Sequence, residues 1–318
     1  MARPKDEVRL KMDYTKSFFP FNTKNSKSLD ALKDIEERSL WTSAMQRLIQ
    51  NKAAYISALL ILFLAFVCFV GPYFLSWSYD EIDWDLIEAT PPSINNGHFL
   101  GTDSLGRDLL ARILQGGQVS FQVGLLATMV AVLIGVTVGS LAGFLGGWVD
   151  QVLMRIVDIL YVIPLMFFII ILMVIFGRNF YLMFIAIGFV EWLTMSRIVR
   201  GQTMTLRHKE FIDSARVSGS SNTRIIFKHI IPNILGVVVV YVTLTIPQVI
   251  LLESFLSFLG LGVQPPMTSW GALISEGARE MEITPRTLII PALFLSTALF
   301  CFNFLGDGLR DALDPRDR

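Results

Sequence analysis

From residue 54 onward the chain alternates long apolar stretches with short polar ones. Six of the apolar stretches approach the roughly 20 residues a helix needs to cross a bilayer. They run from Ala54 to Leu75, Phe121 to Leu145, Ile156 to Phe176, Phe180 to Thr194, Ile234 to Leu252 and Leu288 to Leu305. Glu191 and Trp192 interrupt the fourth. Pro164 lies within the third span and Pro247 and Pro291 within later ones, where they can bend a helix and free backbone carbonyls. In the second, Gly135, Gly139 and Gly143 recur every four residues, followed by Gly146 and Gly147. Such a smooth strip lets a second helix approach closely and belongs to a packed bundle rather than a lone anchor. The pattern predicts an all-α, polytopic membrane protein with six transmembrane helices.

The polar stretches divide by character. Residues 1–39 are mixed in charge and lack a cleavable signal pattern, which reads as a cytoplasmic tail. Ser39 to Asn51 places Leu40, Trp41, Ala44, Met45, Leu48 and Ile49 on one helical face, with Arg47 and Gln50 off it. That suits an elbow helix lying in the membrane interface, or an ordinary helix packed on a soluble partner. In the segment His98 to Leu114, Asp103 or Thr102 can cap a helix whose Leu105, Leu109, Ile113 and Leu114 lie against the membrane surface before the second span. Between the fifth and sixth spans, Gly260, Gly262, Pro265 and Pro266 forbid a simple helix, and Ser269 can cap a short one. This predicts a rigid outer flap, with Pro265, Pro266 and Trp270 as candidate gate or pathway residues and a purely structural re-entrant turn as the alternative.

The stretch Glu210 to Asn233 stands apart as a polar, cationic island between two hydrophobic runs. It reads as two short helices about a break, with Gly219 in the position where φ turns positive and Ser220, Ser221, Asn222 and Thr223 as cap and turn formers. Pro232 is expected to stop the second helix. Ile225, Ile226, Phe227, Ile230 and Ile231 give that helix an apolar face, and Arg224, Lys228 and His229 a wet one.

Composition agrees with the periodicity. Of 318 residues 53% are hydrophobic and 17% charged, with a mean hydropathy of +0.55, too apolar for an ordinary soluble domain. Formal net charge is zero, so no basic balance argues for nucleic acid. Cys68 and Cys301 both fall inside apolar runs, without metal-ligand spacing or the look of a disulfide framework.

Orientation follows from Lys and Arg. With the N-terminus inside, the inner segments hold the N-terminal cations, Arg155, Arg197, Arg200, Arg207, Lys209, Arg216, Arg224, Lys228, Arg310, Arg316 and Arg318, whereas the outer ones keep Arg107, Arg112, Arg178, Arg279 and Arg286. Both termini are then cytoplasmic. The first outer loop is acidic, with Asp80, Glu81, Asp83, Asp85 and Glu88.

Charged groups within spans are candidate functional residues. Glu191 and Asp158 lie toward inner ends, where the other reading is a headgroup position or a pair with Arg155 or Arg197. Glu253, at the outer end of the fifth span, is a candidate contact for a peptide amine, or a solvated rim residue. The chain contains no P-loop and no Gly-Lys pair, so it cannot itself cradle ATP phosphates there. It also lacks an H-E-x-x-H pattern. His98, Asp103 and Ser104 are of triad types, but no nucleophile-elbow pattern accompanies them. No catalytic residue, metal ligand or cofactor is assigned.

An acidic residue, two small residues, a Gly four positions after the second, and a later apolar pair with Pro resemble the EAA signature of ATP-binding-cassette importer permeases. The residues here are Asp213, Ser214, Ala215, Gly219, Ile230, Ile231 and Pro232, with Asp for Glu, Ser for the first Ala and Ile for Leu. Further stretches at His98 to Leu114, Gly146 to Leu160, Glu253 to Gly277 and Phe302 to Arg318 resemble the peptide and nickel branch of that family. The resemblance implies a type I importer permease fold in a bacterial inner membrane, with the EAA-like loop docking on an ATPase. It also implies a related permease subunit, two ATP-binding subunits, an external peptide-binding protein and a peptide substrate. The expected organisation is a tail at 1–39, an elbow helix at 40–52, a first span at 53–76, and an external loop with an interfacial helix at 77–116. A permease core at 117–306 follows, with a coupling loop at 197–233, and then a cytoplasmic tail at 307–318. Dipeptide or nickel import remains an alternative within the family. An ion-coupled secondary transporter is the alternative outside it, although neither midplane acids nor inverted halves are evident.

Overall fold

The structure is a computed structural model that describes residues 40–87 and 89–313. The contacts divide the described residues between Ser43 and Ala44. The tail at 1–39, Glu88 and residues 314–318, including Arg316 and Arg318, lie outside the described residues.

Among those residues the regular elements are helical. α1 (Leu40–Gln50) ends at Asn51, whose side chain accepts the N–H of Ala54 and so starts α2 (Lys52–Val70). α2 runs on through a 3-10 turn at Gly71–Phe74. α3 (Leu109–Leu145) has 37 residues, about 55 Å at 1.5 Å per residue. α4 (Gly147–Val162) and α5 (Leu165–Phe176) follow, then α6 (Phe180–Leu206) and α7 (Glu210–Val217). α8 (Asn222–Ile225) passes through a π-helical turn at Ile226–Ile230 into α9 (Ile231–Phe258). α10 (Trp270–Arg279) and α11 (Arg286–Leu313) complete the chain. Among the described residues five helical segments are individually long and apolar enough to cross a membrane, and α4 with α5, bent by 82°, makes a sixth if counted as one span.

Several expected boundaries move, each for a local reason. The second span begins at Leu109 rather than Phe121, because Asp108 Oδ1 accepts the N–H of Ala111 at 2.7 Å and caps α3 there. Among the described residues no separate α-helix lies between His98 and α3. Leu109, Ile113 and Leu114 are buried and only Leu105 is exposed, so the expected 116/117 boundary falls inside α3. Asp103, expected as a cap, folds a turn instead by accepting the N–H groups of Leu105 and Arg107. The third span breaks at Ile163, whose ψ of 127° is extended, as the residue before a proline prefers. The fourth passes through Glu191 and the buried Trp192 to Leu206, so residues 197–206 of the expected coupling loop are helix. α11 extends to Leu313, past the expected start of the C-terminal tail.

The glycine strip of α3 packs against α6. A Cβ at Gly135 would stand 2.6 Å from Met195 Cβ, and one at Gly143 2.7 Å from the Arg200 carbonyl oxygen. At Gly139 it would run into the Ser196 carbonyl. From α6, Gly188 faces the Ala127 carbonyl in the same manner. Two ion pairs bind α4 to α6: Arg200 with Asp150, and Arg197 with Asp158 at 2.8 Å. Asp158 thus pairs with Arg197, the second of its two expected placements. Cys68 and Cys301 are free and buried, in a core where Trp270 meets Phe121 edge-on at 5.4 Å.

The segments expected outside fasten to one another at one end of the helices. Arg178 donates to the Gly260 carbonyl at 3.0 Å, Arg286 to the Thr90 carbonyl, and Ser104 to Glu280. His98 stacks on Trp77 and hydrogen-bonds Asp108 at 2.9 Å and Asp83 at 3.3 Å. The triad types at His98, Asp103 and Ser104 are thus not assembled with one another.

Candidate functional site

The hairpin between α6 and α9 is built from its caps inward. Glu210 and Asp213 stand in the first turn of α7 and Arg216 in its last, complementing the helix dipole. α7 ends in a Schellman arrangement: the N–H of Gly219 donates to the Arg216 carbonyl at 2.9 Å, and that of Ser220 to the Ala215 carbonyl at 3.0 Å. Gly219 has the required positive φ of +77°. Ser221 Oγ then accepts the N–H of Arg224 at 3.3 Å and starts α8.

Pro232 does not stop the second helix. It lies in the first turn of α9, and helix continues from Asn222 to Phe258. Proline lacks an N–H and its ring collides with the carbonyl four residues back. Here the backbone avoids that collision by opening to i→i+5 bonding, in which the N–H of Ile231 reaches the Ile226 carbonyl. Asn233 Nδ2 donates to the His229 carbonyl at 2.6 Å beside it.

The apolar faces hold this hairpin to α3. Ile212 and Ala215 from α7, with Ile225, Ile226 and Ile230 from the second arm, are buried around Phe144 at the end of α3. Arg216 lies over the Phe144 ring, 5.3 Å from its centroid. Ile231 is partly buried against the same cluster. Phe227, read as part of the same apolar face, is 61% exposed. With Ser221, Thr223, Arg224, Lys228 and Pro232 it lines a shallow open groove. Asp213 and Ser214 are exposed, and Asp213 pairs with Arg216 at 3.1 Å. The hairpin therefore buries one side on its own chain and offers the other, part cationic and part aromatic, to solvent or a partner.

The candidate pathway residues are not gathered in one place. Glu253 is not a solvated rim residue: it is 0% exposed. Its carboxyl accepts from Ser257 at 2.7 Å and Ser120 at 3.2 Å. Trp270, also buried, donates its indole N–H to the Ile113 carbonyl at 3.0 Å. Pro265 and Pro266 are exposed, and Glu191 is half-buried on α6. Ser269 caps α10 as expected, with Oγ accepting the N–H of Ala272 at 3.1 Å. Gly271 packs directly on Ser254 and Gly262 on Ser257, so the flap is pressed onto α9 by backbone contact. Two supports escape the sequence reading. Phe144 reads only as the end of a span, and Ile212 is found only by noting that it shares a face with Ala215 at helical spacing.

Comparison with known proteins places the chain. The family model described as "Binding-protein-dependent transport system inner membrane component" matches residues 135–318, and that of the "N-terminal TM domain of oligopeptide transport permease C" matches residues 39–92. The oligopeptide transport system permease protein OppC of Escherichia coli (strain K12) is 53% identical over 93% of this chain and 98% of its own length. That of Bacillus subtilis (strain 168) is 40% identical over 88% and 91%, and the dipeptide transport system permease protein DppC of the same organism 39% over 95% and 93%. Among solved structures, a chain of the inward-facing MetNI methionine ABC transporter superposes with a TM-score of 0.51 over 64% of this chain and 96% of that one, at 16% identity, which speaks to the fold. The chain belongs to the family of binding-protein-dependent transport system inner membrane components, the permease subunits of ATP-binding-cassette importers, and has the type I fold of that class.

Proposed function

We propose that this chain forms, with a related OppB-like permease subunit, the path by which oligopeptides enter a bacterial cell across its inner membrane. The single observation that carries the substrate is near-full-length identity of 53% to the oligopeptide permease of Escherichia coli (strain K12). An OppA-like binding protein delivers peptide at the outer end, and OppD- and OppF-like subunits bind and hydrolyse ATP at the inner end. The hairpin of α7 and α8 is the docking element, with Asp213, Ser214, Ala215, Gly219, Ile230, Ile231 and Pro232 shaping it. The exposed Phe227, Arg224 and Lys228 support this reading, since an aromatic anchor rimmed by cations suits a partner socket with acidic edges. ATP binding would move the docked hairpins, and α3, which carries Phe144, would move with them.

Uptake of labelled di-, tri- and pentapeptides and of nickel, in cells lacking this chain and in complemented cells, tests the substrate. The expected result is tri- and pentapeptide uptake that depends on the chain. Dependence of dipeptide or nickel uptake alone contradicts the oligopeptide assignment while leaving the permease reading in place.

A further inference from the structure

At the outer end, Arg112 lies in the first turn of α3 and is 2% exposed. Its guanidinium meets two carboxylates that come from distant parts of the chain. Nη1 donates to Asp103 Oδ2 at 2.6 Å and to Glu276 Oε2 at 2.7 Å, and Nη2 donates to Glu276 Oε1 at 3.2 Å. Arg107 closes the figure, with Nε on Asp103 Oδ2 at 2.8 Å and Nη2 3.5 Å from Glu276 Oε2. Asp103 Oδ1 takes the N–H groups of Leu105 and Arg107, both at 2.9 Å, so this carboxylate has little freedom to turn away. Two cations and two carboxylates thereby bind three pieces together: the outer loop through Asp103 and Arg107, α10 through Glu276, and α3 through Arg112.

The placement matters more than the pairing. Ion pairs with a buried member add little net stability compared with apolar replacements of similar volume, so what this one contributes is geometry. The bidentate fork of Arg112 on Glu276 fixes orientation as well as distance. The helix it fixes is the same unbroken α3 whose opposite end, at Phe144, carries the docking hairpin. Between those ends the glycine strip holds α3 tightly to α6, which leads into the hairpin's first arm.

Resting on the importer reading above, we infer that Arg112 is a positioning residue for transport. It joins the outer loop and α10 to α3 so that a displacement imposed on the outer face by the peptide-delivering protein passes along one helix to the hairpin. Glu276 is its principal partner and Asp103 and Arg107 complete the square. The residue acts on coupling, not on peptide contact.

The test uses the complete reconstituted complex and measures ATP hydrolysis with and without saturating peptide-loaded binding protein. Arg112→Gln is expected to keep basal hydrolysis and assembly and to lose about tenfold of the stimulated increment, within the usual range of coupling between distant sites. The loss should persist at saturation, whereas a merely damaged outer surface would shift the concentration of binding protein needed and leave the plateau. Glu276→Gln, at a partly exposed position, should lose a smaller part in the same way. Ser104 and Glu280 touch beside the square. In the Arg112→Gln background, Ser104→Cys and Glu280→Cys joined by a short bismaleimide should restore the increment, and the same protein left unjoined should not.

Full stimulation in both Arg112→Gln and Glu276→Gln overturns the inference, as does a joined protein whose plateau stays low. If Arg112→Gln fails to assemble, Glu276→Gln with and without the tether decides by the same criteria. An unmodified complex that shows no stimulation at all overturns the importer reading and this inference with it, which keeps the two failures distinct.

Discussion

Around Gly219 no heavy atom lies within 4 Å of where a Cβ would stand. Size is therefore not what excludes other residues there; the φ of +77° is. A β-branched residue held in that conformation costs about 1 to 3 kcal/mol, more than a short exposed hairpin can absorb without moving. Gly219→Val should leave insertion and span packing intact yet abolish the increase in ATP hydrolysis that peptide-loaded binding protein evokes. Gly219→Asn, which tolerates the left-handed region, should keep most of it. Equal loss in both variants would mean that size or chemistry at this position matters and that the backbone argument is wrong. Asp213 gives the second prediction. Its carboxylate faces solvent and pairs loosely with Arg216 one turn on, an exposed contact worth well under about 1 kcal/mol. A change here should act on docking and hardly on folding. Asp213→Glu should transport normally and Asp213→Lys should not, at equal membrane abundance, and equal uptake by the two would remove Asp213 from the docking set.

Among the helices, α3 and α6 come close enough for glycine to be required between them. Because Gly139 presses on the Ser196 carbonyl, even a methyl group must push the two helices apart. Gly139→Leu should lower the apparent unfolding temperature in detergent and reduce the yield of assembled complex, whereas Gly201→Ala, with nothing near its missing Cβ, should do neither. Gly→Ala in an open helical position ordinarily stabilises by about 0.5 to 1 kcal/mol, so a destabilised Gly201→Ala would argue against this packing. These helices were legible in the sequence because apolar length and a four-residue glycine period act locally. Their ends were less so. Asp108, not Asp103, caps α3, and nothing short of the folded outer loop decides which of two nearby carboxylates meets the free N–H groups. Pro232 read as a stop because a proline usually is one, but a π-turn lets helix pass it. Glu253 read as a rim group because its nearest sequence neighbours do not reveal Ser120, which comes from a helix far earlier in the chain. The hairpin's positive-φ glycine and serine cap were visible, being local devices. Phe144 beneath it was not, since tertiary contact alone gives it that place.

For the whole molecule the expected orientation makes two ends chemically distinct. The outer end is tied by polar bonds, of Arg178 to Gly260 and of Ser104 in the loop before α3 to Glu280 just past α10, and the inner end by the apolar seat of the hairpin on Phe144. Single cysteines at exposed Asp85 and Glu282 should react with an impermeant maleimide in intact cells, and one at exposed Ser218 only after lysis. Labelling of Ser218→Cys before lysis would reverse the topology and remove the hairpin from the side where ATP is found.

On the proposed function, the hairpin's free side is the seat of the ATP-binding subunits. Val217, at the end of α7, is 90% exposed and belongs to none of the buried clusters, so a probe placed there reports its neighbour without disturbing the fold. The most direct measurement is photo-crosslinking of Val217→Cys, carrying a benzophenone maleimide, in the purified complex, with the adduct identified by mass spectrometry. The account predicts an adduct with an ATP-binding subunit whose yield changes when ATP is bound. An adduct formed only with lipid or with the related permease subunit, in a complex that still hydrolyses ATP on addition of loaded binding protein, would contradict it.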